Sequence, residues 1–263
     1  MTREHPLLGR NSWKLQTDNA DLRRRTPAAA PIQVDAKPTA ITLDTTRTAL
    51  LVIDMQNDFC HPQGWLAGIG VDISGAQRPI PVLEGLLPRC RAASIPIVWV
   101  SWGNREDQAN LPPGVRHVYD PAGHGDGIGS LNNPAQSPVL TSGSWAAAVV
   151  DALAVDDEDI LVEKYRMSGF VDTPLDSILR NLRVDSLLFA GVNADQCVLA
   201  TLMDAANIGY DVVLVEDAVG TTSPAYCLDA TLYNVRQCFG FTTTSAALAS
   251  ELVTSGPSGA ASL

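Results

Sequence analysis

From residue 49 onward the chain alternates short runs of consecutive apolar residues with stretches in which apolar positions return every three or four residues. The runs Ala49-Leu50-Leu51-Val52-Ile53, Ile97-Val98-Trp99-Val100, Ile160-Leu161-Val162, Leu187-Leu188-Phe189-Ala190 and Val212-Val213-Leu214-Val215 lack the in-and-out alternation of a half-exposed sheet. They predict strands covered on both faces, the habit of parallel sheets. A short last strand is predicted at residues 241–244. Between the strands, helices are predicted over residues 81–93, 144–153, 198–206, 225–238 and 246–253. Another opens at Thr173, with Pro174 in its first turn and Asp176 in capping-box position. In the 225–238 helix Leu228, Leu232 and Val235, continued by Phe239, share one face, and Gly209 supplies the stop for the helix before it. Strands alternating with helices in this way define an α/β chain: three layers, doubly wound, with a mostly parallel sheet and helices on both faces.

Two stretches break the alternation. Residues 103–143 hold five prolines and seven glycines and few apolar pairs, which predicts a lid or binding loop. Their GHGDGIG segment has neither the preceding strand nor the following helix of a phosphate-binding loop. Residues 1–45 carry few periodic apolar positions and predict an N-terminal arm lying on a neighbouring subunit, with the globular domain spanning 46–253 and a flexible Gly/Ser-rich tail at 254–263.

With 263 residues, 46% of them hydrophobic, the chain can build one large core. A formal net charge of -11 argues against nucleic acid and anionic membrane as partners. No run of about 18 apolar residues is present to span a bilayer, and the polar beginning lacks the apolar core of a signal peptide, so a cytoplasmic protein is expected. The five cysteines are odd in number and show no C-x-x-C spacing, so neither a disulfide framework nor a zinc site is indicated.

Three reactive side chains fall at the carboxyl ends of three different predicted strands: Asp54 in DMQNDF, Lys164 in EKYRMSGF, and Cys197 in AGVNADQCV. Parallel strands bring such ends to one edge, where open α/β sheets bind ligands. Cys197 falls in the first turn of a helix, with Asp195 as the expected N-cap, where unpaired N–H groups and the macrodipole favour thiolate over thiol. Two readings fit Cys197 on this context: a catalytic nucleophile, or one more buried cysteine in a core. The set as a whole suits acyl transfer. Cys197 attacks a carbonyl, Asp54 acts as base and then as acid to the leaving amine, and Lys164 steadies the charges.

These motifs carry a resemblance. Residues 47–240 resemble the isochorismatase-like cysteine hydrolases through LLVIDMQNDF, the lysine after the third strand, and AGVNADQCV, in the family's order. The resemblance implies a six-stranded parallel sheet and a catalytic triad of Asp54, Lys164 and Cys197. It also implies a cis peptide between Val192 and Asn193, and an oxyanion hole from the N–H groups of Asn193 and Cys197. The family's nicotinamidases carry a metal site where this chain has Trp65-Leu66-Ala67 and SWGNRED, so neither metal nor other cofactor is expected. In the isochorismate-cleaving branch the nucleophile position is usually not cysteine, which Cys197 disfavours. SGFVDTPLDSILR at residues 168–180 and LYNVRQCFG at 232–240 look most like the ureidoacrylate amidohydrolases and the biuret and triuret hydrolases, although Met167 stands where the former look to have tyrosine.

The expected substrate is therefore a small linear ureide or amide of ureidoacrylate, triuret or biuret type. N-carbamoyl amino acids, nicotinamide-type amides, or a non-catalytic binding role are the alternatives. Trp102, Asn104, Gln196, Met167 and Phe59 are the candidate substrate contacts. Arg105 and Arg166 could meet a substrate carboxylate, while His61, His117 and His124 read as loop residues. A homodimer or homotetramer is the expected assembly.

Overall fold

The computed structural model describes residues 10–24 and 27–252. A hairpin of β1 (Lys14–Gln16) and β2 (Asn19–Asp21) comes first, followed by β3 (Pro31–Val34), β4 (Ala36–Lys37) and β5 (Ile41–Asp44). The strand β6 (Thr48–Ile53) leads through the short helices α1 (Asn57–Cys60), α2 (Trp65–Gly68) and α3 (Ser74–Gln77) into α4 (Pro79–Ala92). Then come β7 (Ile97–Trp102), α5 (Pro113–Tyr119), β8 (Ile160–Lys164), α6 (Leu175–Asn181) and β9 (Ser186–Gly191). A π-helical turn, Ala194–Val198, runs into α7 (Leu199–Asn207), which is followed by β10 (Asp211–Val219). The chain ends with α8 (Ala225–Asn234), a second π-helical turn Val235–Phe239, β11 (Phe241–Thr243) and α9 (Ser245–Leu252).

The central sheet has the order β4-β11-β10-β9-β6-β7-β8, and every pairing in it is parallel except that of β4 with β11. All six residues of β6 are buried, as their unbroken apolar character predicted. On one face α4 and α9 pack together and on β10; α7 packs on β10 and against the π-helical turn that follows α8. Because the chain runs from β6 outward to β8 and returns to β9 on the other side, the strand order reverses between β6 and β9. Crevices outside the carboxyl ends of strands form at such a point.

Three expectations change. The sheet has seven strands instead of six, because the arm contributes β4 at one edge. Residues 31–44 of that arm lie on the domain itself, with Ile32, Val34, Ala36 and Leu43 buried. Their alternation of exposed and buried positions is real but only four residues long, too short to stand out from the Pro/Ala-rich stretch around it. Second, residues 144–153 form turns, not a helix. The donors Asn57 and Asp58 bond Ala148 and Ala146, and Val150 donates to Met55, so tertiary partners outcompete the helical preference of Trp145-Ala146-Ala147-Ala148. Third, the loop 103–143 has structure of its own: it carries α5 and buries Leu111, Ile128, Val139 and Leu140. The tail expected at 254–263 lies outside the described residues, in which no helix is long and apolar enough to cross a membrane.

Close contact of β9 with β6 sets the geometry of the edge. Gly191, at φ +109, is paired with Ile53, and a Cβ there would lie 2.0 Å from the Ile53 carbonyl oxygen. Gly209, at φ +102, has open space around it. Gly209→Ala should therefore cost about 1 kcal/mol, the strain of the backbone alone. Gly191→Ala should cost several-fold more or prevent folding, since backbone must move. Urea denaturation of the two variants checks this, and equal losses would contradict it.

Candidate active site

Asp54 directly follows β6 and sits at φ +51, in the left-handed region that aspartate tolerates better than most residues. Its N–H donates to Val100 and its carbonyl accepts from Gln56, so the chain turns sharply here and throws the carboxylate across the sheet edge. The turn stores about 1 kcal/mol. Lys164 is the last residue of β8, the edge strand, about 10 Å away at two strand spacings. Only a long side chain crosses that gap. It passes over Trp102, its partner in register at the end of β7, with the ammonium 4.4 Å from the ring centre.

Lys164 Nζ comes to 2.8 Å from Asp54 Oδ2 and 3.3 Å from Cys197 Sγ, and donates to the Arg166 carbonyl at 3.2 Å. The lysine is 0% and the aspartate 1% exposed. The 2.8 Å approach is an ion pair sealed from water, and beyond Lys164 the carboxylate is poorly satisfied. Cys197, 4% exposed, lies in the π-helical turn after β9, with its sulfur 3.6 Å from the sulfur of Met167.

Burial decides the ionisation of all three. It pushes the Asp54 carboxyl up, more than Lys164 and Cys197 pull it down. It also pushes the Cys197 thiol up, joined by the negative charge of Asp54 and only partly offset by Lys164. Burial works against the charged lysine, yet the Asp54 carboxylate, helped by contact with the Cys197 sulfur, outweighs it and holds the ammonium protonated. This corrects the expectation of a thiolate favoured by the helix start: desolvation wins, and the sulfur rests as a thiol beside a carboxylate. Asp195 is no N-cap either. Asn193 holds that position, and the Asp195 carboxylate accepts from the Thr221 hydroxyl.

The rest of DMQNDF fastens the loops around this edge. The Gln56 side chain donates to the Trp102 carbonyl and accepts from the Trp102 N–H, both at 2.7 Å, as a neighbouring strand would. Asn57 Nδ2 donates to the Trp145 carbonyl. Asp58, fully buried, accepts from the N–H groups of Trp65 and Leu140 at 3.0 and 2.7 Å.

The expected substrate contacts divide. Trp102 and Asn104 are buried after β7's apolar run, and Trp102 Nε1 and Asn104 Oδ1 have no partner. Met167 touches the nucleophile candidate. Gln196 is exposed and donates to Ser223, while Asn193 Oδ1 accepts from the Thr222 N–H. Phe59 is buried in α1 as part of the core. Arg105 pairs with Asp107, and Arg166 with Asp172 and two carbonyls. His61 stands edge-on to Trp145, and His117 and His124 are exposed. Among the described residues no three or more His, Cys, Asp or Glu gather as metal ligands. Val192 and Asn193 are joined by a cis peptide bond.

One residue escaped the sequence reading. Tyr119, at the end of α5, packs its ring 5.1 Å from Trp102 and 5.4 Å from Trp65, centre to centre. Its phenol is pushed well up, first by its surroundings' low polarity and then by its nearness to Cys197 and Asp54.

A doubly wound α/β fold with a buried Asp-Lys-Cys cluster at its switch point is the class this arrangement defines. The isochorismatase domain family matches residues 48–247, and the chain belongs to that family of hydrolases. It is 33% identical over 219 residues to the ureidoacrylate amidohydrolase RutB of Rhizobium rhizogenes, covering 81% of this chain and 86% of that one. The RutB of Agrobacterium fabrum is 35% identical, over 80% and 91% of the two chains. Among solved structures, a cysteine hydrolase from Pseudomonas syringae pv. phaseolicola superposes with a TM-score of 0.69 at 26% identity, covering 81% of this chain and 95% of that one. N-carbamoylsarcosine amidase from Thermoplasma acidophilum gives 0.58 at 25%, over 76% and 96%.

Asp58 yields a pH test. Burial raises its carboxyl to about 6 despite the two N–H donors, above the value of about 3.9 in an unfolded chain. Between those pH values the folded state holds the extra proton, so this group's contribution to stability falls as pH rises, by an amount on the order of 2 kcal/mol. Asp58→Asn should flatten that slope when urea midpoints at about pH 4.5 and 7 are compared with the parent's. An unchanged slope would contradict the assignment.

Proposed function

We propose that this chain is a cysteine-dependent amidohydrolase that cleaves a C–N bond of a small linear ureide or amide through an acyl intermediate on Cys197. One observation carries the reading: a single buried ammonium touches both a carboxylate and a thiol, at 2.8 and 3.3 Å. The names of its relatives, ureidoacrylate amidohydrolase and N-carbamoylsarcosine amidase, support the substrate class. Ureidoacrylate, triuret and biuret are the first candidates, and N-carbamoyl amino acids and nicotinamide the alternatives.

As Cys197 attacks the carbonyl carbon, its proton passes to Asp54, whose raised pKa makes it a stronger base. Lys164 stays protonated throughout and balances the charge that moves between sulfur and carboxylate. The developing oxyanion is held by the N–H groups of Asn193 and Cys197. In support of that role, the Asn193 N–H donates to no other group among the described residues. Collapse breaks the C–N bond while Asp54 returns its proton to the leaving nitrogen. Water, deprotonated by Asp54, then cleaves the thioester and the thiol is restored. Trp102, Asn104 and Met167 line the substrate's place.

Ammonia release from ureidoacrylate, biuret, triuret, nicotinamide and N-carbamoyl compounds should identify the substrate. Cys197→Ala should lower kcat at least about 10³-fold with the thermal midpoint little changed, and intact-protein mass spectrometry during turnover should show an acyl adduct on the parent alone. Lys164→Met should be comparably inactive. Full activity in Cys197→Ala would overturn the covalent mechanism. Activity lost to a chelator and restored by zinc would overturn the metal-independent reading.

A further inference from the structure

The edge that holds the three reactive groups also holds buried polar atoms that the fold leaves without partners: Trp102 Nε1, Asn104 Oδ1 and Asp54 Oδ1. A buried polar atom left unpaired is costly, and a cluster of them marks where a ligand's own donors and acceptors belong. The Tyr119 hydroxyl, on a half-buried residue, likewise makes no hydrogen bond among the described residues, and it is not one of these fully buried atoms. Its ring leans on Trp102, whose other neighbour is the Lys164 ammonium at 4.4 Å.

The helix that delivers it is otherwise loosely held. None of the seven residues of α5 is buried, Val118 is 62% exposed, and only Val115 and Tyr119 pack on the core. An apolar role alone would suit phenylalanine, whereas a phenol whose ring packs on Trp102 and Trp65 beside this edge offers a neutral donor to a carbonyl oxygen. The two arginines that could meet a substrate carboxylate are engaged elsewhere: Arg105 with Asp107, and Arg166 with Asp172 and the carbonyls of Asn110 and Tyr165. An uncharged amide at this place needs neither of them.

We propose that Tyr119 is a substrate-contacting, specificity-determining residue: Trp65 and Trp102 hold its ring so that its hydroxyl hydrogen-bonds the uncharged amide end of the substrate. This assignment rests on the amidohydrolase reading for its substrate class, and its test separates the two. Tyr119→Phe keeps the ring and removes the hydroxyl. With the best ureide from the ammonia-release screen, it should raise KM about tenfold and change kcat much less.

A second arm needs no turnover. Alkylation of Cys197 by iodoacetamide, an uncharged amide, is followed by mass spectrometry beside its modification by methyl methanethiosulfonate, which carries no amide. Tyr119→Phe should slow the first about tenfold and leave the second unchanged. Equal slowing of both reagents, or of neither, would overturn the assignment, because the residue would then be closing or bracing the site without reading the amide. If the parent releases ammonia from no compound while the variant still discriminates between the two reagents, the amidohydrolase reading fails and the role of Tyr119 stands.

Discussion

An ammonium and a carboxylate that meet out of reach of water hold the carboxyl edge of this sheet together. Taking either ion from water costs several kcal/mol, and the pair persists only because each supplies what the other lost. Lys164 gains Asp54 at 2.8 Å, the face of Trp102 and the Arg166 carbonyl. Asp54 gains little besides Lys164 and remains poorly satisfied, which leaves it ready to accept a proton. A thiol beside this pair is held neutral at rest by its burial and by the adjacent carboxylate.

The fold supplies that pair by crossing distances the chain itself could not. Asp54 and Lys164 are 110 positions apart in the numbering and two strands apart in the sheet. The left-handed turn at Asp54 brings one partner inward, and the length of a lysine brings the other. Gly191 lets β9 approach β6 closely enough for Cys197 to arrive between them. Gln56, clamping both backbone groups of Trp102, keeps the aromatic surface beneath the ammonium in place.

Much of this was legible in the residues. Unbroken apolar runs marked the buried parallel strands, and the reactive residue after each run located the edge, because parallel strands share a direction. What stayed hidden depends on partners far along the chain. The residues at 144–153 look helical until Asn57 and Asp58 claim their carbonyls. The strand β4 is two residues long and has no period to read. The ionisation of Cys197 followed from its helix position in isolation, but reversed once its burial and the adjacent carboxylate were known. Tyr119 lay in a stretch whose glycines and prolines obscured its one helix, and only the contact with Trp102 reveals it.

The edge position of β8 has one more consequence. The connection from β7 to β8 leaves and re-enters the sheet at its margin, so its length is not constrained by any strand beyond it. Lineages could lengthen, shorten or rewrite that connection, with the aromatic it presents, while strand ends keep the reactive atoms in place. With Tyr119 in its proposed role, selectivity and reactivity would reside in separately mutable parts of one chain, and a new preference could arise without the strand-end cluster being rebuilt.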